Sequence, residues 1–75
     1  MASADIEAMI CAALPGAEVT IRDLAGDGDH YAAHVVAPQF AGIGRVQQHK
    51  LVYAALGGRM GGELHALQVT TQVPT

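Results

Sequence analysis

A single long helical pattern separates two short strand patterns late in this chain, and that placement limits the topologies open to it. From Phe40 to Leu56 the sequence runs Phe-Ala-Gly-Ile-Gly-Arg-Val-Gln-Gln-His-Lys-Leu-Val-Tyr-Ala-Ala-Leu, a glycine-containing turn followed by a long apolar repeat. On a wheel of about 100° per residue, Val46, His49, Val52, Tyr53, Leu56 and Met60 share one broad sector, with Leu51 and Ala55 opposite. The spacing predicts a helix from near Ile43–Arg45 to about Met60, with one core-facing stripe. Gly57, Gly58, Gly61 and Gly62 weaken its last turns, each internal glycine costing about 1 kcal/mol relative to alanine, so that end is expected to fray.

The segments around this helix supply the rest of the topology. In residues 17–24, Val19 and Ile21 point one way and Thr20 and Arg22 the other, the pattern of a half-buried strand. The loop from Ala25 to His30 is dense in Gly and Asp, and Tyr31 to Ala37 read as a second strand that Pro38 ends. A hairpin is the natural connection. Residues 65–71 predict a third strand with His65, Leu67 and Val69 on one face, followed by an unanchored, disordered tail at 72–75. Ahead of all this, residues 3–14 place Ile6, Met9, Ile10, Ala13 and Leu14 at helical spacing. Ser3 is the expected N-cap, Asp5 and Glu7 occupy the first turn, and Pro15-Gly16 stop the helix. A strand, a helix and a further strand in sequence predict a parallel pair with a right-handed crossover. The expected fold is α+β, a two-layer sandwich with helices on one face of a three-stranded mixed sheet.

Composition narrows the function. The 75 residues make one domain, 1–75, and although 51% are apolar only three are aromatic, Tyr31, Phe40 and Tyr53. Much of the apolar count is alanine, so modest stability is expected. A net charge of −3, from 4 basic and 7 acidic residues, argues against non-specific nucleic-acid binding, although Arg45 and Lys50 flank His49. Cys11 is the one cysteine, which precludes an intramolecular disulfide and suits a reducing compartment. With no apolar run of roughly 20 residues and no secretory signal pattern, a soluble, cytoplasmic protein is expected.

Few catalytic arrangements are available. Ser3 is the only serine, so a serine nucleophile with a placed base is not credible. Gly26-Asp27-Gly28 lacks the spacing and lysine of a phosphate loop, and Asp27 with Asp29 falls far short of an EF-hand ligand set. Cys11 has no cationic neighbours in sequence to make it a strong nucleophile. The four histidines, His30, His34, His49 and His65, include no closely spaced pair, and there is no Cys-x-x-Cys. His30 ends the hairpin loop and His65 begins the last strand. If the hairpin lies beside that strand, the two imidazoles can reach a common edge of the sheet and make half a metal site, the remainder to come from a partner. By spacing alone, a surface or capping histidine is the commoner outcome.

The Gly-Asp-Gly-x-His-Tyr loop, the Phe40–Leu56 turn and helix, and the His65-Ala-Leu start of the last strand together resemble the BolA family over nearly the whole chain, specifically its short bacterial branch. The resemblance implies an α-β-β-α-α-β fold with a final helix, similar to a class II KH domain. It implies a non-enzymatic partner of monothiol glutaredoxins that shares or delivers a [2Fe-2S] cluster in iron–sulfur and iron homeostasis. In that arrangement the glutaredoxin contributes its cysteine and a bound glutathione. The family's histidine at the start of the last strand matches His65. A second ligand comes from the hairpin loop, where the family's cysteine falls at or near Asp27; with no loop cysteine here, His30 is the expected second ligand and Asp27 the reserve. An isolated chain is expected to be a monomer without the cluster. Relatives commonly continue into a last helix, and this sequence ends at Val73-Pro74-Thr75, so whatever that helix packs against is expected to be more exposed.

The resemblance also carries an alternative, a DNA-binding transcriptional regulator of stress response and cell shape. It would use the KH-like surface around Ala41-Gly-Ile-Gly44, with Arg45, His49 and Lys50 as contacts. Physically this is the weaker expectation, because three cationic or near-cationic groups release few counterions. His49 also lies in the predicted core stripe, where packing is its expected job. Arg45 and Lys50 equally suit a surface that receives glutathione or an acidic face of a glutaredoxin.

Overall fold

Alternating side chains need a sheet with one dry face, and the chain builds one. The computed structural model describes residues 2–26, 30–57 and 66–74. Strand β1 (Glu18–Asp23) pairs antiparallel with β2 (His30–Val36), from Glu18 opposite Val36 to Asp23 opposite Tyr31. Strand β3 (Ala66–Gln72) pairs parallel with β2, from His30 opposite Ala66 to Val36 opposite Gln72. The sheet order is β1-β2-β3, which places the hairpin's second strand in the centre and makes the sheet mixed. Helices α1 (Ser3–Ala13) and α2 (Arg45–Leu56), with a 3-10 turn over Pro38–Phe40, complete the expected α+β architecture.

The dry face is made by alternate residues. Tyr31, Ala33 and Val35 of β2 and Leu67 of β3 are buried, and Val19, Ile21 and Val69 pack partly against them. Ile6, Ile10 and Leu14 of the first helical segment, Phe40 of the 3-10 turn, and Val52 and Leu56 of α2 close over this face. Burial of apolar area is worth roughly 25 cal/mol per Å², and Phe40 is the bulkiest of the fully buried side chains among the described residues.

Several sequence expectations are corrected in detail. Ser3 is the first helical residue and does not cap α1; Ala2 is the N-cap and makes no side-chain cap bond. Val46 is 68% exposed and lies outside the core stripe. Six residues of helix rotate it about 120° away from the buried Val52, which turns it toward solvent. The buried row runs instead through Val52 and Leu56, with Ala55, expected opposite, packed partly against the core. Helix α2 ends at Leu56, short of Met60, because Gly57 takes φ 61°, a left-handed conformation that stops the helix and favours glycine. Met60, Gly58, Gly61 and Gly62 lie outside the described residues. His30 belongs to β2 itself and not to the loop, and Gln72, expected to head an unanchored tail, is the last residue of β3. Its carbonyl accepts a hydrogen bond from the Ala37 N–H at 3.1 Å.

One side chain joins the turn, the helix and the sheet. Gln48 donates through Nε2 to the carbonyls of Phe40 (3.3 Å) and Ile43 (3.0 Å), while its Oε1 accepts the Thr71 hydroxyl. The turn before α2 is thereby tied to β3. Gln39 does similar work nearby, donating to the Pro15 carbonyl at 2.8 Å.

Candidate functional site

The parallel pairing of β2 and β3 brings the beginnings of both strands to one end of the sheet. His30, exposed, is the first residue of β2, and its register partner is Ala66, the residue that follows His65 in the sequence. A parallel register is needed for this, because an antiparallel one would set the start of β3 at the far end of β2. The hairpin behind His30 is closed by the Leu24 N–H donating to the His30 carbonyl at 2.8 Å. On the other arm, Asp23 Oδ1 accepts from the N–H groups of Gly26 (2.7 Å) and Ala25 (3.3 Å), an Asx-type turn that fixes the start of the loop. His65 and Asp27, the other two sequence-predicted ligands, lie outside the described residues.

Among the described residues no three His, Cys, Asp or Glu side chains converge as a metal cage. Cys11 is half-buried on α1, with Sγ 4.0 Å from the Ala17 carbonyl oxygen, and takes no part in this end of the sheet. Among the described residues, the His30 imidazole is the nitrogen donor at this end of the sheet. That is a chemically reasonable iron–sulfur ligand, since histidine replaces cysteine on one iron of Rieske centres.

Of the predicted surface residues, Arg45 and His49 come together and Lys50 does not. Arg45 opens α2, His49 follows one turn later, half-buried, and the two form one wall of a shallow groove against Val69, Thr70 and Thr71. His49 is a groove-wall residue and lies outside the buried core, contrary to its place in the predicted stripe. Lys50 is exposed and absent from that groove. Ahead of them Gly42 takes φ 79°, so the Ala41–Gly44 turn does use glycine's left-handed freedom.

The sequence assigned no role to His34, and the structure ties it to the neighbouring strand. Its Nδ1 lies 2.7 Å from Thr70 Oγ1 across the parallel pair, on the sheet face away from the helices. The Thr70 hydroxyl also donates to the Ala33 carbonyl at 3.4 Å. The alternation His34-Val35 and Val69-Thr70 was the available signal; only the register could pair the two.

Comparison with known proteins adds the following. A family model described as BolA-like protein matches residues 14–75. An uncharacterized protein of Rickettsia prowazekii is 36% identical over 67 residues, 89% of this chain and 87% of that protein. The solved structure of a bolA protein homologue from Coxiella burnetii superposes with a TM-score of 0.83 at 36% identity, covering 99% of this chain and 92% of that one. BolA-like protein 1 of Homo sapiens is 39% identical over 49 residues, 65% of this chain but only 36% of the human protein.

Proposed function

The chain belongs to the BolA-like protein family, and from that premise we propose that it is a partner of a monothiol glutaredoxin, sharing or passing on a [2Fe-2S] cluster. The supporting observation is the register of His30 opposite Ala66 in a parallel pair, which sets one candidate ligand beside the residue that follows the other. Two imidazoles supply only half of a cluster's ligands, which suits a cluster held between two proteins. His65 and His30 would hold this half, with Asp27 in reserve as a hard oxygen donor less suited to a soft iron–sulfur centre. A glutaredoxin cysteine and glutathione would supply the other half. On this reading the chain is an adaptor and contributes no catalytic residue.

The test is to add the protein to a [2Fe-2S]-loaded monothiol glutaredoxin and record visible circular dichroism alongside the mass of the complex. The proposal predicts a changed spectrum and a 1:1 heterodimer, both lost with His65→Ala. An unchanged spectrum with no complex contradicts it. DNA binding across a salt series would then be the next measurement, with Arg45, His49 and Lys50 as the contacts to mutate.

A further inference from the structure

The two edges of the sheet are built differently. β1 carries Glu18, Arg22 and Asp23, and charges on an edge strand oppose pairing with another chain. β3, the opposite edge, reads Ala-Leu-Gln-Val-Thr-Thr-Gln, with neither charge nor proline. The Ala37 N–H donates to the Gln72 carbonyl, so Gln72 and its alternates turn their backbone groups toward β2, and Leu67, Val69 and Thr71 turn theirs outward. The Tyr53 hydroxyl agrees with that phase, donating to the Leu67 carbonyl at 3.1 Å and closing that end of the edge. Past it, Val69 and Thr71 border a groove of about 270 Å³ whose other wall is Arg45 and His49. Among the described residues Arg45 has no ion-pair partner, and the first turn of α2 contains no acidic residue.

We propose that this groove takes a short, extended, acidic segment of a partner protein, added as a strand to the outer edge of β3, with one Asp or Glu side chain meeting Arg45 and His49. Backbone hydrogen bonds to Val69 and Thr71 supply sequence-independent affinity, and the guanidinium selects the acid. Val69 and Thr71 direct their side chains to the helix side of the sheet. A residue paired opposite them therefore points its own side chain toward α2. A second copy of the chain is a poor occupant: β3 paired antiparallel with itself would bring two Arg45 guanidiniums onto one strip, and like charges there destabilise the pairing. The inference needs no metal and stands apart from the cluster reading.

Two seven-residue Val/Thr peptides, identical but for a central Glu or Gln, titrated into the isotope-labelled chain would test this by backbone amide NMR. The Glu peptide is expected to shift the Val69 and Thr71 amides and slow their solvent exchange. It should bind roughly two- to fivefold tighter than the Gln peptide, the scale of a partly exposed ion pair. Arg45→Gln, at an exposed position, should erase that preference while leaving the fold intact. Amide shifts confined to other strands, no binding of either peptide, or equal binding of the two would overturn the proposal. So would a groove that responds to a single-stranded oligonucleotide and not to the Glu peptide.

Discussion

The helix-covered face of the sheet and its open face are made by alternate residues of the same strands, yet they are under opposite constraints. On the covered face Tyr31, Ala33, Val35 and Leu67 meet Ile6, Ile10, Phe40, Val52 and Leu56, and no buried polar side chain is left without a partner among the described residues. On the open face Thr20, His34 and Thr70 form one cross-strand row and Arg22, Ala32 and Gln68 the next. Burial restricts the first set to shapes that fill space. Exposure frees the second to carry polar chemistry, and both His30 and His34 sit at its positions. The space-filling side chains and the exposed His30 and His34 therefore sit on opposite faces.

That contrast sets an order of mutational effects. Phe40→Ala should cost roughly 3–5 kcal/mol, enough to leave a domain this small largely unfolded in a denaturant titration. Gln48→Ala should cost roughly 1–3 kcal/mol, because its loss strands the Phe40 and Ile43 carbonyls and the Thr71 hydroxyl. Tyr53→Phe removes one hydrogen bond at a half-exposed position and should cost about 1 kcal/mol by the same measurement. His34→Ala, on the open face, should stay within roughly 0.5–1 kcal/mol despite its bond to Thr70. A loss at His34 as large as that at Gln48 would break the distinction between the faces.

The strands were the most legible part of the sequence, because a period of two reports a one-sided sheet wherever it occurs: Val19 and Ile21, then Tyr31, Ala33 and Val35. The parallel pairing was legible too, since a helix between two strands leaves little else. Helix phase was not. The wheel gives the angle between Val46 and Val52 but not which direction faces the sheet, and only packing showed that Ala55 turns inward and Val46 outward. The helix end was misjudged for a backbone reason, since Gly57 terminates α2 through its left-handed φ rather than by gradual weakening. Gln48 was missed because a polar residue in a helix carries no periodic signal; its value comes from three partners eight residues upstream, five upstream and on β3. For the site, the sequence could nominate His30 and His65 by type and order; the register of β2 on β3 sets His30 opposite Ala66, and His65 itself lies outside the described residues.

The central claim is that position at the start of the strands, rather than histidine as such, qualifies a residue for the shared cluster. His30 and His34 lie on the same strand, four residues apart and both exposed, one at the sheet end and the other held mid-sheet by Thr70. The direct test is a visible circular dichroism titration of [2Fe-2S]-loaded monothiol glutaredoxin with the unaltered chain, His30→Ala and His34→Ala. The account predicts that His34→Ala reproduces the spectrum of the unaltered chain and that His30→Ala changes it. Two mutant spectra indistinguishable from each other, whether both altered or both unchanged, would contradict it.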